Sequence, residues 1–285
     1  MSHWRDAVSC AGNSVLFITI GETKKDDGMN FIDTHIHIDG EEFDEDRAEV
    51  IARARSAGAS AIMVPAVDEK SVQKILSVCH EFPGFAFPMI GLHPEEVRND
   101  YDQVLDRMEM LMSDEFVAIG EVGLDFYWSR EFEKEQMEAF ERQVQWACRT
   151  QLPLMIHCRK AQNEMVAILR RYRDSLPGGV FHCFTGNILE ARQLLDFDNF
   201  VLGIGGVLTF KKSHLPEVVA DIPINRIVLE TDAPYMAPVP MRGKRNESAF
   251  IPYMIEKLAL CYGITPEEVA EATTVNAKRI FACLR

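Results

Sequence analysis

Along most of the chain, short apolar runs alternate with longer stretches whose apolar residues recur at helical spacing. The runs at 30–34, 61–64, 85–90, 117–120, 154–156, 179–181, 200–204 and 227–229 read as strands. Apolar character throughout, rather than alternation, suits strands buried on both faces, as a parallel sheet requires. Residues 131–149 typify the amphipathic helices between them. Eight β/α units spaced roughly 20 to 40 residues apart predict an α/β fold closed into a (β/α)8 TIM barrel rather than an open doubly wound sheet. No glycine-rich dinucleotide fingerprint follows the first strand; Gly203-Ile204-Gly205-Gly206 comes late and reads as a tight strand-to-loop turn.

The pattern starts at Met29. Residues 1–28 carry neither periodicity nor motif, and 21–28 is polar, so they read as an N-terminal extension without a functional role. Residues 29–285 are expected to form one barrel domain, a length such a barrel nearly uses up. With 47% hydrophobic and 26% charged residues, the composition is that of an ordinary globular protein.

Polar residues at the strand tips change the picture, because a barrel assembles its active site at that end. His35 and His37 follow the first strand at period-two spacing, which projects both imidazoles to one side. Two desolvated imidazoles held together need a reason, and coordination of an ion supplies it. Glu121 follows the apolar run 116–119, and a buried carboxylate requires a cation or a basic partner such as Arg159. His157 and His182 end the fifth and sixth strands. Asp232 closes the set in Glu230-Thr231-Asp232-Ala233-Pro234, where the proline stops the strand and turns the acid toward the opening. His93, in Gly91-Leu92-His93-Pro94, reads as substrate-facing, with a loop-capping histidine as the plain alternative. Cys158 and Cys183 adjoin the histidines on the opposite side and read as packing residues. Mixed nitrogen and oxygen donors suit two divalent ions (Mg, Mn or Zn), which about 3.5–4 Å apart would clamp a phosphoryl oxygen and activate a water.

Charge and cysteine usage then limit the partners. A net charge of −14 disfavours a protein that coats nucleic acid nonspecifically, so any nucleic-acid contact must be local. The basic turn Arg242-Gly243-Lys244-Arg245, just after Asp232, offers such a local patch for phosphates. Arg159 is a further candidate for phosphate charge, and Tyr127, Trp128 and Phe184 are candidate faces for stacked bases. Seven scattered cysteines argue against a disulfide framework and for a reducing cytoplasm. The N-terminal apolar run 15–20 is far too short to cross a bilayer, and no obligate protein partner is implied.

These residues resemble one family. Phe31-Ile32-Asp33-Thr34-His35-Ile36-His37, Gly91-Leu92-His93-Pro94, Gly120-Glu121-Val122-Gly123-Leu124-Asp125 and Ile156-His157-Cys158-Arg159 are similar to the TatD-type metal-dependent deoxyribonucleases of the amidohydrolase superfamily. So, in the same order, are His182-Cys183-Phe184-Thr185-Gly186, Glu230-Thr231-Asp232-Ala233-Pro234-Tyr235, the 242–247 turn and Asn276-Ala277-Lys278-Arg279-Ile280-Phe281. The resemblance runs from about residue 30 to the last residue. It implies an amidohydrolase-like barrel in which His35, His37 and Asp232 hold one ion, His157 and His182 a second, and Glu121 bridges. It also implies that Asp232 is the base for the attacking water and that a DNA strand end is the substrate, cleaved exonucleolytically. Lys160 and Ser248 depart from the family's usual acid and proline, which bears on substrate preference. The rival readings are an ester or amide hydrolase, such as a D-aminoacyl-tRNA deacylase, and a noncatalytic metal-dependent nucleic-acid binder.

Overall fold

The structure, a computed structural model, describes residues 29–285. The expectation of an extension at 1–28 lies outside the described residues. Eight parallel strands alternate with helices: β1 (Phe31–Asp33), β2 (Ala59–Pro65), β3 (Ala86–Met89), β4 (Ile119–Asp125), β5 (Leu154–Arg159), β6 (Gly179–Phe181), β7 (Phe200–Ile204) and β8 (Ile227–Leu229). The pairings run β1-β2-β3 and β4-β5-β6-β7-β8, all parallel.

Two seams join these sheets into a ring. Gly120 N donates to Ile90 O at 2.9 Å and Ile90 N to Ala118 O at 3.1 Å, linking β3 to β4. Thr34 N donates to Leu229 O at 3.0 Å, Asp232 N to His35 O at 2.9 Å and His37 N to Ala233 O at 2.9 Å, linking β1 to β8. The closed barrel read from the eight apolar runs is the architecture found.

Ring closure separates two cores. Ile32, Ala61, Met63, Met89, Ala118, Met155, Val180, Val201 and Val228, from all eight strands or the residue leading into one, fill the bore, and Ala277 and Phe281 close its floor. Those two floor residues come from the last long helix, α9 (Pro266–Ile280), and the residue after it. The larger core lies between ring and helices, where Phe31, Ile62, Ile156 and Leu202 meet the apolar faces of helices such as α4 (Glu133–Thr150).

The strand bounds differ from the sequence reading where polar residues begin. β4 starts at Ile119 and runs through Asp125, so Glu121 lies inside the strand instead of after it. The register of β4 against β5 shifts between Ile119 and Val122, and this bulge turns Glu121 inward. β5 continues past Ile156 to Arg159 and carries His157 within the ladder. A polar residue does not end a strand whose backbone partners are still present.

Candidate metal centre

The strand tips bring their donors together. Glu121, 2% exposed, stands in the middle with its two oxygens facing different partners. Its Oε2 lies 3.2 Å from His35 Nε2 and 3.6 Å from His37 Nε2. Its Oε1 lies 3.0 Å from His157 Nδ1, 3.0 Å from His182 Nε2 and 3.3 Å from His93 Nε2. Asp232 Oδ1 completes the first side, 3.8 Å from His35 Nε2 and 3.6 Å from His37 Nε2. The His35 and His37 Nε2 atoms are 3.2 Å apart.

These separations test whether a cation fits. Ligands about 2.1 Å from one ion stand about 3.0–3.4 Å apart in octahedral or tetrahedral arrangement. The donor atoms of His35, His37, Glu121, His157, His182 and His93 fall in or near that range, and their nitrogen and carboxylate chemistry suits a divalent metal. Arg159, the alternative partner for Glu121, makes no ion pair with it among the described residues; its guanidinium lies on Tyr127 instead.

Electrostatics point the same way. Burial opposes ionisation of Glu121, but the charges of His93, His182 and His35 and the hydrogen bond with His157 hold its carboxyl well below the usual range. Burial likewise opposes protonation of His157, yet Asp125 and Glu121 draw its imidazole up to about 9. His182 is drawn well above its usual value by Glu121 and Glu230, again against burial. Carboxylates this close need compensating positive charge, which protons or divalent cations supply at the same donor atoms.

The backbone at the tips is shaped to aim these groups. Lys160, Cys183 and Asp232 have φ of 58°, 49° and 55°, left-handed values that non-glycine residues adopt where the surroundings enforce them. At Asp232 the enforcement is visible: its N–H is held by His35 O and its carbonyl by Tyr235 N.

Three supporting carboxylates were missed by the sequence reading. Asp125 accepts from His157 Nε2 at 2.8 Å and from Tyr127 N at 2.8 Å. Glu230, wholly buried, takes the Cys183 N–H and lies 3.4 Å from His182 Nδ1. A Cβ at Gly203 would sit 2.0 Å from Glu230 Oε2, so the glycine makes room for that carboxylate. Asp33 accepts from the backbone N–H of His35 and Thr231 and from the Thr231 and Ser248 hydroxyls, the last at 2.6 Å. Ser248 thus ties β1 to the loop after β8. Each carboxylate follows or ends an apolar run, the signal that revealed Glu121.

Other expectations need correction. Phe184 is 7% exposed and belongs to the large core, so it offers no free face to a base. Arg245 is engaged with both oxygens of Asp46 and with the Glu42 carbonyl, which pins the loop to α1 (Arg47–Ser56). Lys244 is exposed, and Arg242 is exposed with its guanidinium 4.0 Å from the Phe210 ring centre. His93 caps a turn by accepting from Glu95 N through Nδ1 while its Nε2 faces Glu121, so it combines the capping role with a place among the donors. Cys158 packs against the large core, as read.

A β/α barrel with imidazoles and carboxylates converging on one rim defines a class, the metal-dependent hydrolases of amidohydrolase-like fold. Within that class, the chain belongs to the TatD related DNase family, which matches residues 32–282. It is 39% identical over 251 residues to the metal-dependent hydrolase YabD of Bacillus subtilis, covering 87% of this chain and 98% of that protein. It is 35% identical over 254 residues to the 3'-5' ssDNA/RNA exonuclease TatD of a Rahnella species, covering 87% and 96%. The crystal structure of the TatD homologue YjjV from Escherichia coli superimposes with a TM-score of 0.82 at 28% identity, covering 89% of this chain and 98% of that one. The protein is a metal-dependent hydrolase of this family. Among the described residues, no helix is long and apolar enough to cross a membrane.

Proposed function

We propose that the chain hydrolyses phosphodiester bonds of DNA from a strand end, using two divalent cations (Mg, Mn or Zn). The observation that carries this reading is the division of Glu121, with Oε2 toward His35 and His37 and Oε1 toward His157, His182 and His93. On this reading His35, His37 and Asp232 would hold one cation, His157 and His182 would hold the other with His93 beside them, and Glu121 would serve both. Bound there, such a pair supplies Lewis acidity to the attacking and leaving oxygens and lowers the pKa of water.

The protein's own groups supply the rest. Burial works against ionisation of Asp232, but the nearby His37 imidazole and the charges of His182 and His35 hold its carboxyl below the usual range. It is therefore an ionised proton acceptor at the mouth, fit to orient and deprotonate the attacking water. Exposed Arg159, Arg242 and Lys244 supply local positive charge for phosphates on an otherwise acidic protein. The likeness to the 3'-5' ssDNA/RNA exonuclease of Rahnella supports a nucleic-acid substrate, and a closed mouth admits a terminus more readily than mid-duplex.

The test is degradation of an end-labelled single-stranded oligonucleotide with magnesium or manganese, with EDTA, and with Asp232→Asn, alongside metal analysis of the purified protein. Stepwise shortening with about two metals per chain, lost in EDTA and reduced about 10²- to 10⁴-fold in the variant, supports the reading. Bound metal without shortening overturns it in favour of a carboxylic ester or amide substrate.

A further inference from the structure

The described residues expose nine large apolar side chains, and five of them (Tyr127, Trp128, Tyr235, Met236 and Val239) lie in the loops after β4 and β8, at the mouth. Tyr127 is 48% and Trp128 70% exposed, and their rings meet edge to face at 4.8 Å between centres. The Arg159 guanidinium lies 3.6 Å from the Tyr127 ring centre and 5.3 Å from that of Trp128. Among the described residues it has no ion pair, so its donors stay available above the ring. Clustered exposed aromatic side chains rimmed by a polar group mark interaction sites.

The cluster is fixed to the metal centre through one carboxylate. Asp125 accepts from His157 Nε2 with one oxygen and from Tyr127 N with the other. Arg159, at the end of β5, lies two residues beyond His157, roughly 7 Å along the strand, and Tyr127 lies in the bend just after β4. That places an aromatic surface and an unpaired guanidinium just outward from the donor cluster, beside His157 and Asp125.

We propose that Tyr127, Trp128 and Arg159 form a subsite that stacks one unpaired base next to the scissile phosphodiester, with Arg159 holding its phosphate. This rests on the nuclease reading above and adds a requirement to it: the nucleotide at this position must carry a base. A flat ring and a guanidinium attract any base face and gain nothing from a bare sugar. The enzyme should stall where an abasic residue reaches the subsite and trim past it elsewhere.

Single-stranded oligonucleotides with one abasic residue at successive positions from the digested end test this. Wild-type protein should pause at one fixed distance from that residue. Trp128→Ala and Tyr127→Ala should lose the pause and raise KM on intact strands about tenfold, while Trp128→Phe restores the pause. In parallel, metal-loaded Asp232→Asn protein is titrated with oligothymidylate, expecting quenching that Trp128→Phe removes. Shortening with neither pause nor quenching overturns the subsite and leaves the nuclease reading standing. Quenching without shortening sinks the nuclease reading and supports the base-stacking site. Neither response overturns both.

Discussion

The two ends of the barrel bore are lined by the same strands and differ in kind. Met155 and His157 are two residues apart on β5, and Val180 and His182 stand in the same relation at β6, yet the first of each pair sits in the apolar floor and the second in the metal-donor cluster. One step of strand period separates packing from chemistry. The floor tolerates no charge because nothing there compensates one. The mouth tolerates many because every carboxylate faces an imidazole, a hydroxyl or a backbone N–H. The same backbone therefore supplies rigidity below and a preorganised charge array above.

Substitutions at the two ends should separate accordingly. The largest effect is expected from Glu121→Gln, which removes the charge shared by both donor groups: turnover should fall about 10³-fold and bound metal should drop, measured by single-turnover assay and metal analysis. Next, Met155→Ala in the floor should cost about 2–5 kcal/mol of stability in calorimetry while metal content per folded chain is unchanged. If Met155→Ala also emptied the metal centre, the separation of the two ends would be wrong. Glu230→Gln should weaken metal binding about 10- to 100-fold by releasing His182, with little change in melting of the metal-free chain. The smallest change belongs to Arg245→Ala. Its ion pair with Asp46 should contribute about 0–1 kcal/mol, and KM should stay within about twofold because the side chain is not free to grip phosphate.

Legibility in the sequence follows the same division. The eight strands were readable because buried parallel strands are apolar throughout, and His157 and His182 because each directly follows such an apolar run. Glu121 was legible as a buried carboxylate, but its place within β4 depends on a bulge that leaves no mark on the hydrophobic pattern. Arg245 was misread because its partner Asp46 is far away in sequence and adjacent only once β1 and β8 meet. Phe184 was misread because a ring beside a donor histidine can turn either way, and here it turns into the core. Asp125 and Glu230 carried the same signal as Glu121, but what they do depends on the orientation of an imidazole, which only the assembled rim reveals.

The floor of the bore has a bearing on how the protein is made. Its last pieces, Ala277 and Phe281, follow all eight strands in the chain, and Asn276 fastens the same helix to the start of β8 through the carbonyls of Ile224 and Ile227. During vectorial synthesis, the ring lacks its base until this helix leaves the ribosome. A nascent chain halted just before residue 265 carries an apolar tube open to water at one end. Such stalled chains should be captured by chaperones and cut rapidly by proteases, and release of the final helix should end both together.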